Sequence, residues 1–371
     1  MSVNRKSMTS GSTAVRRVVW CCLMIAALCF ISACATTPPQ AEPRPMLSWP
    51  MASAKNRVVW VKNIAGPADL GGKGFWRRLL EVVSGEESGA IGRPHGVLRT
   101  ENELYLADPG RGVVHRFNIT GGGYALIAGT EKSPLRSPIG LTVDDDGLIY
   151  ISDSMTGMVY RFNPKDASLT PFLRKGLSRP TGIAFNPLNK YIYVTDTLAS
   201  QIVVLDRDGV ERRRLGRLGD SRTGLNRPTD IAIDSRGQIY VTDALNFRIS
   251  VLTPEGVVVR QFGTPGDAQG YFSRPKGIAV DSDGNIYVSD ALMDAVQIFD
   301  RSGALQLVLG RSGTASGQFW LPSGICIDRR NQIYVADTYN RRVQVFRYLA
   351  NVVDEDAHDE DLFDKSLPPS N

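Results

Sequence analysis

Between Cys34, which follows an apolar stretch near the N-terminus, and an acidic C-terminal end, this chain holds two histidines, His95 and His115, and one cysteine, Cys326. Metal-assisted hydrolysis or elimination needs several imidazole, thiolate or carboxylate ligands converging on one ion. His95 follows a proline, and the residues in the same place of five related phrases are Ile139, Thr181, Thr229, Lys276 and Ser323. That set offers one imidazole, no carboxylate and a competing lysine. No metal site, no catalytic residue and no cofactor are therefore expected. His115 aligns with Gln297 and Gln344, and Cys326, alone in an apolar run, reads as a buried, inert thiol. The carboxylates are more regular. Asp108, Asp153, Asp196, Asp243, Asp290 and Asp337 close six versions of one phrase, at spacings of 45, 43, 47, 47 and 47. Six equivalent aspartates read as turn-forming groups that bond backbone N–H, not as six catalysts. "DDDG" (Asp144–Gly147) and "DSDG" (Asp281–Gly284) lack the further spaced ligands of a calcium loop and read as turns. The cations carry the sharper signal. Arg93, Arg179, Arg227 and Arg274 precede repeated prolines, and Lys276 lies two residues beyond Arg274. Arg111, Arg248, Arg341 and Arg342 fall in or beside the turns after the closing aspartates. Arg93, His95, Arg179, Arg227, Arg274 and Lys276 form the expected binding face.

A repeat must position these residues. "GIAVDSDGNIYVSD" (Gly277–Asp290) is nearly restated by "DIAIDSRGQIYVTD" (Asp230–Asp243) and "GICIDRRNQIYVAD" (Gly324–Asp337). A period in the forties belongs to propeller blades or helical solenoids. The pieces are short, rich in β-branched residues and tyrosine, and joined by Asp-Gly or its relatives, which is hairpin grammar. "AVQIFD" and "LQLVLG" supply a third and a fourth strand, and four antiparallel strands make a blade. The pattern predicts an all-β, six-bladed β-propeller over residues 55–349. Six first, second and third strands are counted, but only five fourth strands. "RVVWVKNI" (Arg57–Ile64) alternates correctly and is expected to complete the last blade, built from 322–347, closing the ring and removing two open sheet edges.

The repeat resembles the NHL repeat in its proline–x–glycine start, its Tyr-Val-x-Asp and its Asn-x-Arg-Val turn, here "NFRI" (Asn246–Ile249) and "NRRV" (Asn340–Val343). The resemblance covers residues 57–347 and implies the propeller fold. Peptide-amidating lyases and lactonase-like propellers are similar in fold but use several His, Glu or Asp ligands around the channel, a set missing here. NHL propellers of eukaryotic regulators use a basic face to bind single-stranded RNA; an exported protein argues against nucleic acid as the partner.

The ends carry an address. Arg5, Lys6, Arg16 and Arg17 precede sixteen uncharged residues, "VVWCCLMIAALCFISA", short for a membrane span and suited to a signal peptide over residues 1–33. "ISAC" resembles a bacterial lipobox, which implies a lipidated Cys34 as first mature residue. Ala35 is not the aspartate that marks inner-membrane retention, so the outer membrane of a bacterial envelope is expected. Residues 34–54 are proline-rich and read as a tether. Residues 350–371 hold seven acids and one lysine and read as a solvated, disordered tail. Taking those four leader cations and the tail's net −6 from the chain's +5 leaves the body at about +7. Between the closing strand and the first blade, residues 73–85 place Phe75, Trp76, Leu79 and Leu80 on one helical face, a candidate lid on the channel mouth. The expectation is a lipid-anchored interaction or scaffold propeller whose partner is a protein or an anionic envelope component. The alternative is a periplasmic or surface enzyme, lyase or lactonase-like, with a reduced channel site.

Overall fold

Strand formation follows from period-two patterning with both faces apolar. In blade 5, Pro275–Val280, Ile286–Asp290, Ala295–Phe299 and Leu305–Leu309 pair in order as an antiparallel sheet. The second strand, IYVSD, is buried along its whole length, because a neighbouring blade covers each face. The computed structural model describes residues 47–50, 56–70, 90–216 and 224–350. Blades 1 to 4 repeat the plan, with first strands Val97–Arg99, Pro138–Val143, Pro180–Phe185 and Pro228–Ile233 innermost.

Blade 6 is assembled from both ends of the described chain. Pro322–Ile327, Gln332–Asp337 and Arg342–Ala350 are joined by Asn56–Ile64, which pairs antiparallel with Arg342–Ala350 from Asn56↔Ala350 to Ile64↔Val343. The ring is thus closed by the N-terminal strand, as the pattern predicts. Ser48 and Trp49, within the stretch expected to be tether, add a short fifth strand opposite Val59 and Val58. Trp49 holds it there by meeting the Phe346 ring edge-on at 5.8 Å.

Six apolar clusters fill the seams between adjacent blades. The seam between blades 6 and 1 holds Ile64, Val97, Leu104, Tyr334 and Val343, so closure is sealed by packing as well as by backbone bonds. At the glycine of the proline–x–glycine start, inner strands of neighbouring blades nearly touch. A Cβ on Gly96, Gly140, Gly277 or Gly324 would collide with a carbonyl oxygen of the next blade.

Candidate functional site

One face is built by the closing aspartates. Each reaches from the end of its second strand to the backbone of the link that leads into its own blade. Asp108 takes the N–H groups of Gly92 and Arg93, Asp196 those of Ser178 and Arg179 at 2.9 and 2.8 Å, and Asp290 those of Ser273 and Arg274. Asp153, Asp243 and Asp337 do the same through Arg136 and Ser137, Asn226, and Trp320. Several also cap their own turn, as Asp153 does for Met155 and Thr156. The links into the first strands and the turns after the second strands are thereby tied together around one mouth of the channel.

This leaves the arginine side chains unspent. The aspartates hold the backbone of Arg93, Arg179 and Arg274, not their guanidinium groups. Among the described residues no carboxylate pairs with the side chains of Arg179, Arg227, Arg274 or Lys276. Arg179 and Arg274 are exposed, while Arg227 and Lys276 are half-buried. Arg93 lies 5.5 Å over the Tyr339 ring. Burial first, then Arg274 and Arg179, lower the pKa of Lys276. Burial, then Lys276 and Arg179, push His95 down to about 4. His95 is therefore neutral near pH 7, and the cations around it act on one another across the mouth. Arg248 and Arg342, grouped with this set in the sequence, are engaged elsewhere. Their Nε atoms lie 2.8 Å from Asp243 and Asp337, next to Asn246 and Asn340, which bond the same carboxylates. The Asn-x-Arg motif is thus a clasp on the closing aspartate.

Of the residues following the repeated prolines, His95, Ile139 and Thr229 line the channel. Thr181 and Ser323 instead spend their hydroxyls on other protein groups. Thr181 Oγ1 meets Thr195 and Thr197 of its own blade at 2.9 and 2.7 Å. Ser323 meets Thr338 of its own blade at 2.8 Å and donates to His95 O of blade 1 at 3.2 Å, which bridges the two blades. The channel is a cavity of about 240 Å³ walled by first-strand Ile, Val, Leu and Ala side chains. Arg99 stands at its far end, held by the Tyr334 hydroxyl at 3.2 Å. Cys326 faces this cavity half-buried, where full burial was expected. Desolvation pushes its thiol up to about 12, and an unionised thiol is a poor nucleophile.

Sequence reasoning passed over Asp230. Blade 4 reads proline–threonine–aspartate where the other five blades have glycine at that place. Gly182 of blade 3 leaves room for the carboxyl. Asp230 Oδ1 accepts Ile231 N–H at 2.9 Å and Oδ2 accepts Ile278 N–H of blade 5 at 3.1 Å. Burial raises its pKa to about 7 against those two bonds, and no cation counters it. The second strand behind it is also irregular. In blades 2 and 5 a serine hydroxyl bridges blades: Ser152 accepts Gly140 N–H at 2.9 Å and donates to Thr181 O, and Ser289 does so between Gly277 and Ser323. In blade 4 the matching Thr242 hydroxyl is buried without a hydrogen-bond partner.

The remaining candidates are structural. His115 is buried between Asp108 at 3.2 Å and the Tyr124 hydroxyl at 2.9 Å. Asp144 and Asp281 spend their oxygens on turn N–H groups and on Tyr150 and Tyr287, each at 3.0 Å, which leaves no calcium loop. Among the described residues, no group of three His, Cys, Asp or Glu is placed to hold a metal. Cys34 and the candidate lid residues Phe75, Trp76, Leu79 and Leu80 lie outside the described residues, as does the acidic tail after Ala350.

Residues 151–271 match the SMP-30/Gluconolactonase/LRE-like region, and residues 272–299 and 319–346 match the NHL repeat. Among solved structures, virginiamycin B lyase from Staphylococcus aureus is similar at 16% identity and a TM-score of 0.51, over 69% of this chain and 94% of that one. An auxiliary nutrient binding protein from Bacteroides thetaiotaomicron is similar at 16% identity and a TM-score of 0.58, over 70% of each chain. One from Bacteroides ovatus shares 15% identity at a TM-score of 0.58, over 71% of each. At such identities the likeness is one of fold. The chain is a six-bladed β-propeller with NHL-type repeats.

Proposed function

We propose that this protein is a lipid-anchored interaction module of the bacterial cell envelope, at the outer membrane rather than the inner, which holds an anionic partner on the channel-mouth face of its propeller. One observation carries the reading. The closing aspartates are consumed by backbone N–H groups and, in blades 1, 4 and 6, also by His115, Arg248 and Arg342, so Arg179, Arg227, Arg274 and Lys276 stand on one face without carboxylate partners among the described residues. Burial first, then the neighbouring Arg274 and Arg179, lowers Lys276, a cost that a bound anion would relieve. The scaffold keeps them apart from their obvious partners and so presents a preformed anion-binding surface.

The anchoring half rests on the basic, apolar and "ISAC" succession ending at Cys34. Cys34→Ala is expected to abolish labelling by a lipid precursor and to move the protein into the soluble fraction; unchanged membrane retention and labelling would refute it. The binding half is tested by crosslinking in native envelopes. Arg179→Gln, Arg227→Gln and Arg274→Gln together should reduce capture per folded molecule, and added salt should reduce parent capture. Arg236→Gln with Arg330→Gln on the opposite face is the control. Equal capture by both variants would refute the binding face.

The enzyme alternative has one observation in its favour: His95 and Asp230 both line the same cavity. It predicts that His95→Ala abolishes a measurable lyase or lactonase turnover, or a stoichiometric bound metal. Absence of both in the parent removes it.

A further inference from the structure

The channel-mouth face also carries a ring of apolar side chains that folding does not require. Met155, Leu198, Leu245, Leu292 and Tyr339 stand two residues after the closing aspartates of blades 2 to 6, and glycine takes the place in blade 1. All five are 43–69% exposed, and none belongs to the six core clusters. The turns themselves are made by the aspartates and the backbone, so a polar residue would serve each position equally well. Equivalent positions in a ring of repeats lie at one height along its axis. The five therefore recur at one level around the channel mouth, a regular pattern and not a scatter of single apolar residues. In blade 6 the ring is reinforced by exposed Trp320, 5.5 Å from Tyr339, with the Arg93 guanidinium over the same tyrosine. Tryptophan, tyrosine and arginine together are the side chains of a water–lipid boundary.

Charge and chain direction point the same way. Besides the closing aspartates, the described links and turns of this face hold only Asp69, Glu131, Asp267 and Asp294 as carboxylates, against the unpaired cations. The first described strand arrives from this side. Ser48 opposes Val59, and the same partner strand continues to Ile64, which meets Val343 at the turn end of blade 6. A lipid on Cys34 would lie thirteen residues before Leu47. At about 3.5 Å per residue those residues span at most about 45 Å, enough for the face to reach the bilayer that holds the lipid.

We propose that the channel-mouth face docks flat on an anionic lipid bilayer, with the Met155, Leu198, Leu245, Leu292 and Tyr339 ring entering the interface and Arg179, Arg227 and Arg274 meeting headgroup phosphates. This rests on the anionic-partner reading and names its partner as a lipid surface. A flat partner satisfies all five apolar groups at once, and the ring adds apolar insertion to an attraction that charge alone makes weak and salt-sensitive.

The test uses unlipidated protein beginning at Ala35, which retains every strand of the closed ring. Co-sedimentation is measured with vesicles of phosphatidylcholine alone and with one quarter phosphatidylglycerol, and retention on soluble polyphosphate is measured alongside. Binding is expected to the anionic vesicles only. Leu198→Ser, Leu245→Ser and Leu292→Ser together should weaken it at least tenfold and leave polyphosphate retention unchanged. The Arg179, Arg227, Arg274 glutamine variant should lose both. Val210→Ser with Val257→Ser, exposed on the opposite face, should change neither. These surface changes should leave thermal unfolding in place. Retention on polyphosphate without vesicle binding, or vesicle binding indifferent to the leucine variant, would overturn the lipid proposal while sparing the anionic-partner reading. Loss of vesicle binding in the Val210, Val257 variant equal to that in the leucine variant would overturn it too. Absence of both vesicle and polyphosphate binding would overturn both.

Discussion

Asp230 and His95 should bend the pH dependence of stability in opposite directions. Asp230 is raised from 3.8 to about 7 in the fold, so between those values the native state holds a proton that the unfolded chain has lost. Stability from this group is full below pH 3.8 and is lost as pH rises through about 7. His95 is lowered from 6.5 to about 4, so between about pH 4 and 6.5 the unfolded chain holds the extra proton. Its contribution is full above 6.5 and is lost as pH falls through about 4. At about 1.4 kcal/mol per tenfold, the ceilings are about 4 kcal/mol for Asp230 and about 3 kcal/mol for His95. Both side chains border a cavity that water can enter, so roughly half of each is the working figure. In the parent the two slopes nearly cancel between about pH 4 and 6.5. Asp230→Asn keeps the size of the side chain and cannot ionise. Relative to the parent, its stability should climb by about 1.5 kcal/mol as pH rises through this range. His95→Gln should do the reverse by about 1.5 kcal/mol. Urea unfolding followed by tryptophan fluorescence reads both, and background from other carboxylates cancels in the difference. If either variant tracks the parent, that group is solvated in the fold and burial does not shift it.

Three further outcomes are expected. A chain starting near Gly66 loses the closing strand, whose buried Val58, Val59 and Ile64 contribute about 5–9 kcal/mol together, comparable to the whole stability of a domain; an unchanged, equally sharp melt would refute closure. Ser289→Ala should cost about 1–3 kcal/mol in chemical denaturation by stranding Gly277 N–H and Ser323 O, whereas Thr242→Val should be neutral or stabilising because its hydroxyl has no partner; the reverse ranking would show that Thr242 finds one in solution. Removing residues 352–371 should shift salt sensitivity and leave the melting temperature nearly unchanged, and a large loss would mean that the acidic tail docks on the body.

Repetition made the architecture readable, because each blade restates the same strand and turn chemistry and the count of fourth strands exposes the one that is missing. The Ser48–Trp49 strand was not readable. Two residues beside prolines carry no period, and the strand exists because Trp49 finds Phe346 nearly three hundred positions away. At the site, the positions of Arg179, Arg274 and Lys276 could be read, but their freedom from aspartates could not, since it depends on which oxygens the backbone takes first. For the same reason Arg248 and Arg342 looked equivalent to them and are not. Asp230 and the apolar ring did leave signals, an aspartate in a column of glycines and a Met-Leu-Leu-Leu-Tyr column. Each stands beside a conspicuous repeated residue, and each becomes meaningful only once the positions are seen to face the channel or the solvent.

Closure by Asn56–Ile64 also orders events in time. The strand is among the first of the propeller to be made, and its partner Arg342–Ala350 is the last. Five blades can pair locally as they emerge, but the final seam waits for the whole chain, with the earliest strand left as an unpaired hydrogen-bonding edge throughout. Such a latch is a bottleneck of synthesis. Until it shuts, the molecule is exposed to aggregation and proteolysis. Its vulnerability is therefore a matter of how quickly the C-terminal strand arrives, more than of how stable the finished ring becomes.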